Sequence, residues 1–458
     1  MMEFIEQIRA IVGEKGVLTG DDVRSRPSTY WNHQPMQAAA IVRPASVAEV
    51  SACMRQCHEH GITVVPLGGN TGLVEGTACE PDQIMLSLER MNTIEQVDEV
   101  SRTVVVQAGT ILQTVQAKVS EHQLMLPVDL GARGSCTIGG MIATNAGGFG
   151  VLRYGMMRER VLGLEAVLAD GTVVSSMNGY LKNNTGYDLK QLFIGSEGTL
   201  GVVTRAVLRL EEHQTAETTA LIALHSYSQV TQLLKHLDRA LSGSLSAFEV
   251  MWGDFFALNT GEHSKLESPF AASYPFYVLV ECQGNQADEL RQRFELALEH
   301  AFENALLEDA VIAQSAGERA SLWAIREISE PEERFFEITI GFDVSLSIAD
   351  MDSYVSKVQG GLAQLASDAT LLVFGHLADG NLHLTVGLHT PVDREAIEHL
   401  IYEGLKEYGG AISAEHGVGL EKKAYLAISR QPAELALMRQ IKATLDPQNR
   451  LNPGKIFD

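Results

Sequence analysis

Two histidines lie close together in the sequence FGHLADGNLHLTV, which spans residues 374–386. Asp379-Gly380 is a strong signal for a two-residue hairpin turn, and such a turn would pair His376 with His383 across two strands. Cross-strand partners lie about 4.5–5.5 Å apart at Cβ, so the two imidazoles could share a metal ion. The alternative is a pair of histidines that are exposed, or satisfied within a core.

The strand after the turn separates polar from apolar side chains. Because strand residues alternate between the two faces of a sheet, Asn381, His383 and Thr385 would share one face, while the intervening leucines and Val386 would occupy the other. This pattern predicts a polar site that lies over an apolar core.

A second candidate is the sequence SAEHGVG at residues 413–419, in which Glu415 and His416 are adjacent and flanked by small residues. A carboxylate added to two histidines gives a ligand set suited to zinc or another divalent ion with one open position. The neighbouring histidine could act as a base. An E-H-G loop on its own is a weak signal.

Two glycine-rich loops occur nearer the N-terminus. PLGGNTGLVEG (66–76) holds four glycines, and GARGSCTIGGMIATNAGGFG (131–150) holds seven together with small polar residues. Glycine permits positive φ and lets backbone N–H groups converge on an anion such as pyrophosphate. Either loop alone could be an ordinary turn, but the two together favour a dinucleotide. Neither is a G-x-G-x-x-G fingerprint, and the chain has no P-loop motif.

The elements that must position these residues follow from periodicity. A strand (AAAIVRP), a helix begun by Ser46 and closed by Gly61, and a strand (ITVVPLGG) predict a β-α-β unit. Residues 103–209 repeat strand and helix, and include a hairpin signalled by Asp170-Gly171 in VLGLEAVLADGTVV. From about 216 to 371, strands alternate with amphipathic helices and no glycine cluster occurs, which predicts a separate sheet backed by helices.

The composition excludes several classes of function. Of the 458 residues, 58 are acidic and 35 are Lys or Arg, giving a net charge of -23, which argues against nucleic acid as a partner. The five cysteines form no C-x-x-C pair, which favours a reducing compartment. No apolar run approaches the roughly 20 residues of a transmembrane helix, and the N-terminus lacks signal and transit features. These features predict a cytoplasmic protein.

Three stretches carry a resemblance to a known family. PLGGNTGL, PVDLGARGSCTIGG with ATNAGG, and NTGYDLKQLFIGSEGTLG (184–201) resemble the FAD-binding half of vanillyl-alcohol-oxidase-type flavoproteins. Within that superfamily the chain is most similar to the group that comprises D-2-hydroxyglutarate dehydrogenase, D-lactate dehydrogenase and the flavin-binding subunit of glycolate oxidase. The resemblance runs from about residue 35 to 458.

The resemblance implies an α+β fold in three parts. An FAD-binding domain of the vanillyl-alcohol oxidase type would span 1–215, with subdomains of about 1–95 and 96–215. A substrate or cap domain, with a sheet backed by helices, would span 216–410. A C-terminal helical segment, 411–458, would return to the flavin site.

The resemblance also implies an FAD site. FAD would be bound non-covalently, since neither glycine loop contains a histidine, and the 66–73 loop would hold its pyrophosphate. The implied cofactor-binding residues are Pro66, Leu67, Gly68, Gly69, Asn70, Thr71, Gly72, Leu73, Pro127, Asp129, Gly134, Ser135, Thr137, Gly139, Gly140, Thr144, Asn145, Gly198, Val203 and Asn452.

Catalytic roles are carried over from the family motifs. These imply that His376, His383 and Glu415 bind a divalent metal, with zinc the first choice, and that His416 is the general base. Arg326, in the segment SLWAIRE, would bind the substrate carboxylate.

Other positions would contact the substrate, and here the chain departs from the hydroxyglutarate pattern. Asn381 and Thr385 are the expected substrate contacts, but the family favours an asparagine at the position of Thr385. Gly341 stands where the family carries a lysine, and Arg334 is the alternative cation for a second carboxylate. D-2-hydroxyglutarate, D-lactate, D-malate and glycolate therefore all stay open as substrates.

The function expected from these features is FAD-dependent oxidation of a D-2-hydroxy acid to the 2-oxo acid. Electrons would pass to an acceptor such as electron-transfer flavoprotein or a quinone, and a homodimer is compatible with the sequence. One alternative is a flavin-binding subunit of a glycolate-oxidase-like complex. Another is a metal-dependent hydrolase, which would leave both glycine loops without a role.

Overall fold

The computed structural model describes residues 1–457, which divide into two compact units. Unit 1 comprises Met1–Gly148, Tyr154–His213 and the C-terminal segment from Glu415, whereas unit 2 comprises Phe149–Arg153 and Gln214–Ala414. Within residues 1–457, no helix combines the length and the apolar character that crossing a bilayer requires. The predicted boundaries near residues 215 and 410 stay a prediction.

The elements up to residue 213 include most of unit 1. In chain order they are α1 (Met2–Val12), β1 (Val17–Leu18), α2 (Asp21–Arg24), β2 (Ala40–Val42), α3 (Val47–Glu59), β3 (Val64–Leu67), β4 (Ile84–Ser87), β5 (Ile94–Asp98), β6 (Thr103–Gln107), α4 (Leu112–Ser120), β7 (Leu124–Met125), α5 (Ile138–Thr144), α6 (Val151–Tyr154), α7 (Met157–Arg160), β8 (Val161–Val167), β9 (Val173–Ser176), α8 (Lys190–Phe193), β10 (Val202–Arg209) and β11 (Glu211–Glu212).

The remaining elements begin in unit 2 and end in the C-terminal segment. They are β12 (Ala216–Leu224), α9 (Tyr227–Leu241), β13 (Leu245–Trp252), α10 (Gly253–Thr260), β14 (Phe276–Gly284), α11 (Ala287–Glu303), β15 (Asp309–Ile312), α12 (Ala316–Glu327), α13 (Glu330–Phe335), β16 (Ile338–Ser345), α14 (Met351–Leu365), β17 (Thr370–His376), β18 (Asn381–Leu388), α15 (Arg394–Gly404), α16 (Leu426–Ser429) and α17 (Pro432–Leu445).

The first sheet of unit 1 contains the predicted β-α-β unit, in the order β1-β2-β4-β3. Helix α3 begins as predicted, because the Ser46 hydroxyl accepts a hydrogen bond from the Glu49 backbone N–H at 3.2 Å. Strands β2 and β3 are each parallel to β4, which lies between them. The first glycine loop directly follows β3, so it lies at the carboxyl end of that strand.

The second sheet of unit 1 is antiparallel, in the order β5-β6-β10-β8-β9. The predicted hairpin at Asp170-Gly171 is confirmed, since Val167 pairs with Val173. Gly171 has a φ of 85°, a left-handed conformation that favours glycine in this turn. The inner faces of both sheets contribute to one apolar core, which also includes Cys136, Ile138, Met141, Ile142 and Ala146 of the second glycine loop.

Unit 2 is built on a seven-stranded antiparallel sheet in the order β15-β12-β14-β13-β17-β18-β16. Helices α9 and α11 pack against β12 to β14, and α14 packs against β17. Helices α10 and α12 bury Phe255 and Trp323 in a cluster with Leu221, Met251 and Tyr277 of the sheet. The predicted sheet backed by helices is therefore confirmed.

The predicted two-residue turn between β17 and β18 is wrong. His383 pairs with Phe374 rather than with His376, and Leu377–Asp379 form a single 3-10 turn that ends at Gly380, whose φ is 86°. His376 lies two residues beyond Phe374, so it becomes a diagonal neighbour of His383. Diagonal residues on one face remain within reach of aromatic side chains. The longer turn thus preserves the proximity of the two imidazoles.

Candidate active site

Unit 1 contains a cavity of about 470 Å³ that both glycine loops line. Glu197 and Gly198 from the loop before β10 also line it, together with Glu415 and His416 from the C-terminal segment. The predicted cofactor-binding residues that line this cavity are Pro66, Leu67, Gly68, Gly69, Asn70, Thr71, Gly72, Leu73, Thr137, Gly139, Gly140, Thr144, Gly198 and Val203.

Six predicted cofactor-binding residues are not among the described residues that line the cavity. Ser135 and Gly134 line two neighbouring cavities, Pro127 precedes the second glycine loop, and Asp129 pairs with Arg133 at 3.0 Å. The Asn145 side chain accepts a hydrogen bond from the Arg158 backbone N–H at 2.9 Å, and the Asn452 side chain donates one to the Glu197 carbonyl at 2.8 Å. These positions support the loops, and their direct contact with a cofactor stays a prediction.

The cavity fits a ligand that carries phosphate groups. A Cβ added at Gly72 or Gly76 would meet no atom within 4 Å, so glycine leaves the backbone uncovered at both positions. A Cβ at Gly69 would instead collide with the Ser135 carbonyl, because the two glycine loops approach each other there. Within residues 1–457, the buried Oδ1 of Asn452 has no hydrogen-bond partner, while its Nδ2 donates to the carbonyls of Gly76 and Glu197, which line the cavity.

Glu197 holds the C-terminal segment beside this cavity. Its carboxylate oxygens accept hydrogen bonds from the backbone N–H groups of Val418 and Gly419, each at 2.8 Å. Burial raises the pKa of Glu197, although these hydrogen bonds oppose the effect. The sequence analysis did not predict this role. The signal that could have indicated it is an acidic residue, Glu197, in the glycine-flanked segment GSEG. The Glu197 carboxylate therefore fixes the loop that follows His416.

The Glu415 side chain is hydrogen-bonded to the second glycine loop. Its Oε1 accepts a hydrogen bond from the Gly148 backbone N–H at 2.8 Å. Both Glu415 and the adjacent His416 are half-buried, and both line the cavity. A carboxylate and an imidazole thus face the space that the glycine loops enclose.

In unit 2 the histidine pair, His376 and His383, lies on one face of the sheet. The ring centroids are 5.3 Å apart, the ring planes are inclined by 80°, and a nitrogen of each ring lies within 4.8 Å of the other. His376 is buried and His383 is half-buried. This spacing lets both imidazoles reach one metal ion.

A buried carboxylate lies behind each imidazole. Nδ1 of His376 is 2.7 Å from Oε1 of Glu249, and Nδ1 of His383 is 3.8 Å from Oδ1 of Asp343. Histidines that bind metals usually present the other ring nitrogen to a carboxylate, which fixes the tautomer and the ring orientation. The donor set of unit 2 therefore fits a divalent metal ion, and Nε2 of His376, which lies 3.5 Å from Nη2 of Arg326, is the candidate ligand atom.

Glu249 also binds Arg326 of α12. The Arg326 Nε donates to Oε2 of Glu249 at 2.9 Å, and its guanidinium carbon lies 4.6 Å from the ring centroid of Phe374. Burial would raise the pKa of Glu249, but nearby His376 and Arg326 outweigh burial and hold that pKa below its usual value. Arg326 is buried and paired with a strand residue, so it is not an exposed arginine paired within its own helix.

Asn381 and Thr385 lie on either side of His383 along β18. The Asn381 side chain donates to Oδ1 of Asp343 at 2.8 Å, while its own Oδ1 has no hydrogen-bond partner within residues 1–457. Thr385 lies near Glu332 of α13, whose pKa burial raises to about 7 while the Thr385 hydroxyl opposes that rise. The intervening leucines of β18 are fully buried on the other face, which confirms the predicted separation of polar and apolar residues.

Comparisons with known proteins agree with this arrangement. A family model described as "FAD binding domain" matches residues 38–176, and one described as "FAD linked oxidases, C-terminal domain" matches residues 213–456. D-2-hydroxyglutarate dehydrogenase of Stutzerimonas stutzeri is 34% identical, with 99% of this chain and 98% of that protein covered. The mitochondrial enzyme of that name from Arabidopsis thaliana is 37% identical, with 99% and 81% covered.

Solved structures share the fold at low sequence identity. p-Cresol methylhydroxylase with substrate bound has a TM-score of 0.78 and 16% identity, with 100% of this chain and 96% of that chain covered. Alkyldihydroxyacetonephosphate synthase has a TM-score of 0.76 and 16% identity, with 99% and 84% covered.

The two family models define an FAD-binding oxidase, and its fold is the one that p-cresol methylhydroxylase and alkyldihydroxyacetonephosphate synthase share. The chain belongs to the family of FAD-linked oxidases, and in that family it is similar over nearly its whole length to D-2-hydroxyglutarate dehydrogenases. It is therefore an FAD-dependent oxidoreductase.

Substitution Glu197→Gln should weaken FAD binding. A glutamine side chain offers one oxygen in place of two, and its NH₂ group would face a backbone N–H, so the loop after His416 loses a tether. We expect FAD to dissociate about tenfold more readily, as measured by the rise of flavin fluorescence on dilution. The control is Glu6→Gln on the exposed face of α1. Equal FAD retention in both variants would contradict the tethering role.

Proposed function

We propose that the chain is an FAD-dependent dehydrogenase that oxidises a D-2-hydroxy acid to the corresponding 2-oxo acid. The observation that carries this proposal is the histidine pair of unit 2, with a buried carboxylate behind each ring. Its relatives named D-2-hydroxyglutarate dehydrogenase support a hydroxy acid as the substrate class. D-2-hydroxyglutarate, D-lactate, D-malate and glycolate are the candidates.

The cavity of unit 1 would hold FAD without a covalent bond. Backbone N–H groups of the loop at 66–73 would bind the pyrophosphate, and the side chains of Thr137 and Thr144 would supply further hydrogen bonds. When bound, FAD accepts the hydride that leaves the α-carbon of the substrate. Reduced flavin would pass its electrons to electron-transfer flavoprotein or to a quinone.

A divalent metal ion, with zinc as the first choice, would be bound by His376, His383 and Glu415. The pairing of Glu249 with Nδ1 of His376 supports this proposal, because the candidate ligand atom is then the opposite ring nitrogen, Nε2, which lies 3.5 Å from the Arg326 guanidinium. Oδ1 of Asp343 faces Nδ1 of His383 at 3.8 Å, which is beyond hydrogen-bond distance, so Asp343 supports His383 as a nearby negative charge. When bound, the metal ion lowers the pKa of the substrate hydroxyl group.

Chain connectivity supports bringing Glu415 to the histidine pair. Glu415 follows directly on Ala414, whose backbone N–H donates to Oδ2 of Asp343 at 3.1 Å within unit 2. Asp343 is also the carboxylate behind His383. A single peptide bond therefore separates Glu415 from a residue anchored at the histidine pair.

His416 would take the proton from the substrate hydroxyl group. The oxygen then forms the new C=O bond while the hydrogen on the α-carbon leaves with its electron pair, so that charge and atoms balance. Arg326 would bind the substrate carboxylate, and Glu249 would fix the guanidinium in relation to His376 through its two oxygens. Arginine suits this role because its planar fork can donate two parallel hydrogen bonds.

Location and assembly are part of the same proposal. All five cysteines are free thiols, which supports a reducing compartment such as the cytoplasm. A homodimer stays a prediction. Nucleic acid is not proposed as a partner, because the net charge of the chain is -23.

Anaerobic mixing of the purified protein with D-2-hydroxy acids should bleach the flavin absorbance, and the L-enantiomers should not. Substitution His416→Ala should slow this reduction by about 10²-fold or more, because a general base contributes at least that factor. Stopped-flow spectroscopy gives the rate constant for each protein. The proposal fails if no hydroxy acid bleaches the wild-type flavin, and the role of His416 fails if the variant reacts at the wild-type rate.

Substitution His383→Ala should remove the metal ion and leave FAD in place. Loss of one of three protein ligands lowers the metal affinity, whereas the proposed FAD contacts lie in unit 1. Metal content by mass spectrometry and flavin content by absorbance are measured on the same sample. His389→Ala, in the loop after β18, is the control and should retain both. A full complement of metal in His383→Ala would contradict the assigned ligands.

A further inference from the structure

Helix α12, which carries Arg326, is bound to two buried carboxylates of the unit 2 sheet. Its residues Arg319, Trp323 and Arg326 have the spacing that places side chains along one face of a helix. Arg326 is bound by Glu249 of β13. Arg319 and Trp323 are bound by a second carboxylate, that of Glu281 in β14.

The Glu281 carboxylate is buried and receives several hydrogen bonds. Nε of Arg319 donates to its Oε2 at 2.7 Å, and Nη2 of Arg319 donates to its Oε1 at 3.0 Å. Nε1 of Trp323 and the Thr219 hydroxyl also donate to Oε2, at 2.8 and 2.7 Å. A bidentate pair of this kind fixes direction as well as distance. We call Glu281, Arg319 and Trp323 the α12 anchor.

Glu281 and Glu249 lie on the same face of the sheet. Ala247 is the cross-strand partner of Glu281, and Glu249 lies two residues further along β13. Residues two apart on a strand share a face. The two arginines of α12 lie about two helical turns apart on the face that meets this surface. The helix is therefore bound to the sheet at two charged points.

The C-terminal end of α12 is held by α10. Nδ2 of Asn259 donates to the carbonyls of Ile325 and Ile328 at 3.0 and 3.2 Å. Carbonyls at the end of a helix have no partner within the helix, so a side chain can bind them. These two carbonyls lie on either side of Arg326 in the chain. The Arg326 backbone is therefore held from its C-terminal side by Asn259 and from its N-terminal side by the α12 anchor.

We propose that Glu281 is a positioning residue for substrate binding, because through Arg319 and Trp323 it sets where α12 presents the Arg326 guanidinium. This inference rests on the proposed function, in which Arg326 binds the substrate carboxylate. Two parallel hydrogen bonds from one guanidinium require a fixed direction, so a small displacement of α12 weakens the binding. Glu281 thus acts on the affinity for the substrate rather than on the metal ion or the flavin.

The test is the substitution Glu281→Gln, which keeps the size of the side chain and removes its charge. Anaerobic stopped flow with a reactive D-2-hydroxy acid gives the dissociation constant and the limiting rate of flavin reduction. We expect the dissociation constant to rise about tenfold, with the limiting rate within about threefold of the wild-type rate. Metal and FAD content should stay at the wild-type level, which separates this effect from the loss of a metal ligand.

A double-mutant cycle determines whether Glu281 acts through Arg326. Arg326→Lys removes the guanidinium fork, so it should itself raise the dissociation constant about tenfold or more. If Glu281 acts by positioning that fork, adding Glu281→Gln to Arg326→Lys should raise the constant by less than about twofold further. A further rise as large as the one in the wild-type background would overturn the inference, because the two residues would then act independently.

Two more variants of this cluster complete the experiment. Arg319→Lys keeps the positive charge beside Glu281 but lacks the fork, so it serves if Glu281→Gln does not fold, and it should raise the dissociation constant about threefold or more. The control is Glu217→Gln. Glu217 lies 3.1 Å from Nε of Arg319 but its side chain is 44% exposed, so its loss should leave the constant unchanged. Melting temperatures establish which variants are folded.

The outcomes separate this inference from the proposed function. If the wild-type flavin is reduced and the folded variants Glu281→Gln and Arg319→Lys bind the substrate as tightly as the wild type, the inference is overturned while the dehydrogenase proposal stands. An equal rise in Glu217→Gln also overturns it, because the charge around Arg319 would then set the affinity. If no D-2-hydroxy acid reduces the wild-type flavin, the proposed function itself fails, and this inference fails with it.

Discussion

The proposed chemistry depends on one buried carboxylate, that of Glu249 in the central strand β13. Its two oxygens are bound by His376 and by Arg326, which come from β17 and α12. A carboxylate that is 1% exposed is stable as an anion only when it is paired and hydrogen-bonded. Glu249 therefore couples the orientation of a proposed metal ligand to that of a proposed carboxylate-binding arginine.

Unit 1 relies on backbone groups, rather than on side chains, at its proposed binding site. Gly72 and Gly76 leave open space over the backbone where a Cβ would lie beside the cavity, and the Glu197 carboxylate holds the backbone at 418–419. Both units thus use an acid to hold a neighbouring group: Glu249 holds an imidazole in unit 2, and Glu197 holds a loop in unit 1. In each case the acid acts through its position rather than by contact with the reacting atoms.

Local patterns in the sequence predicted much of this arrangement. The glycine loops, the cap at Ser46 and the hairpin at Asp170-Gly171 depend on neighbouring residues, so the sequence specifies them directly. The turn after His376 was mispredicted because a single 3-10 turn competes with a two-residue reversal. Glu249 and Asp343 could not be found by spacing, since they lie 127 and 40 residues before their histidines on strands that otherwise look apolar.

The most direct test of this account is the substitution Glu249→Gln, followed by measurement of metal content, FAD content and the dissociation constant of a reactive D-2-hydroxy acid on one preparation. The loss of a carboxylate behind a ligating histidine typically weakens metal binding by about 10–100-fold. We predict that metal and substrate binding both weaken by about tenfold or more while FAD is retained. Wild-type metal content together with wild-type substrate affinity would contradict the central role of Glu249.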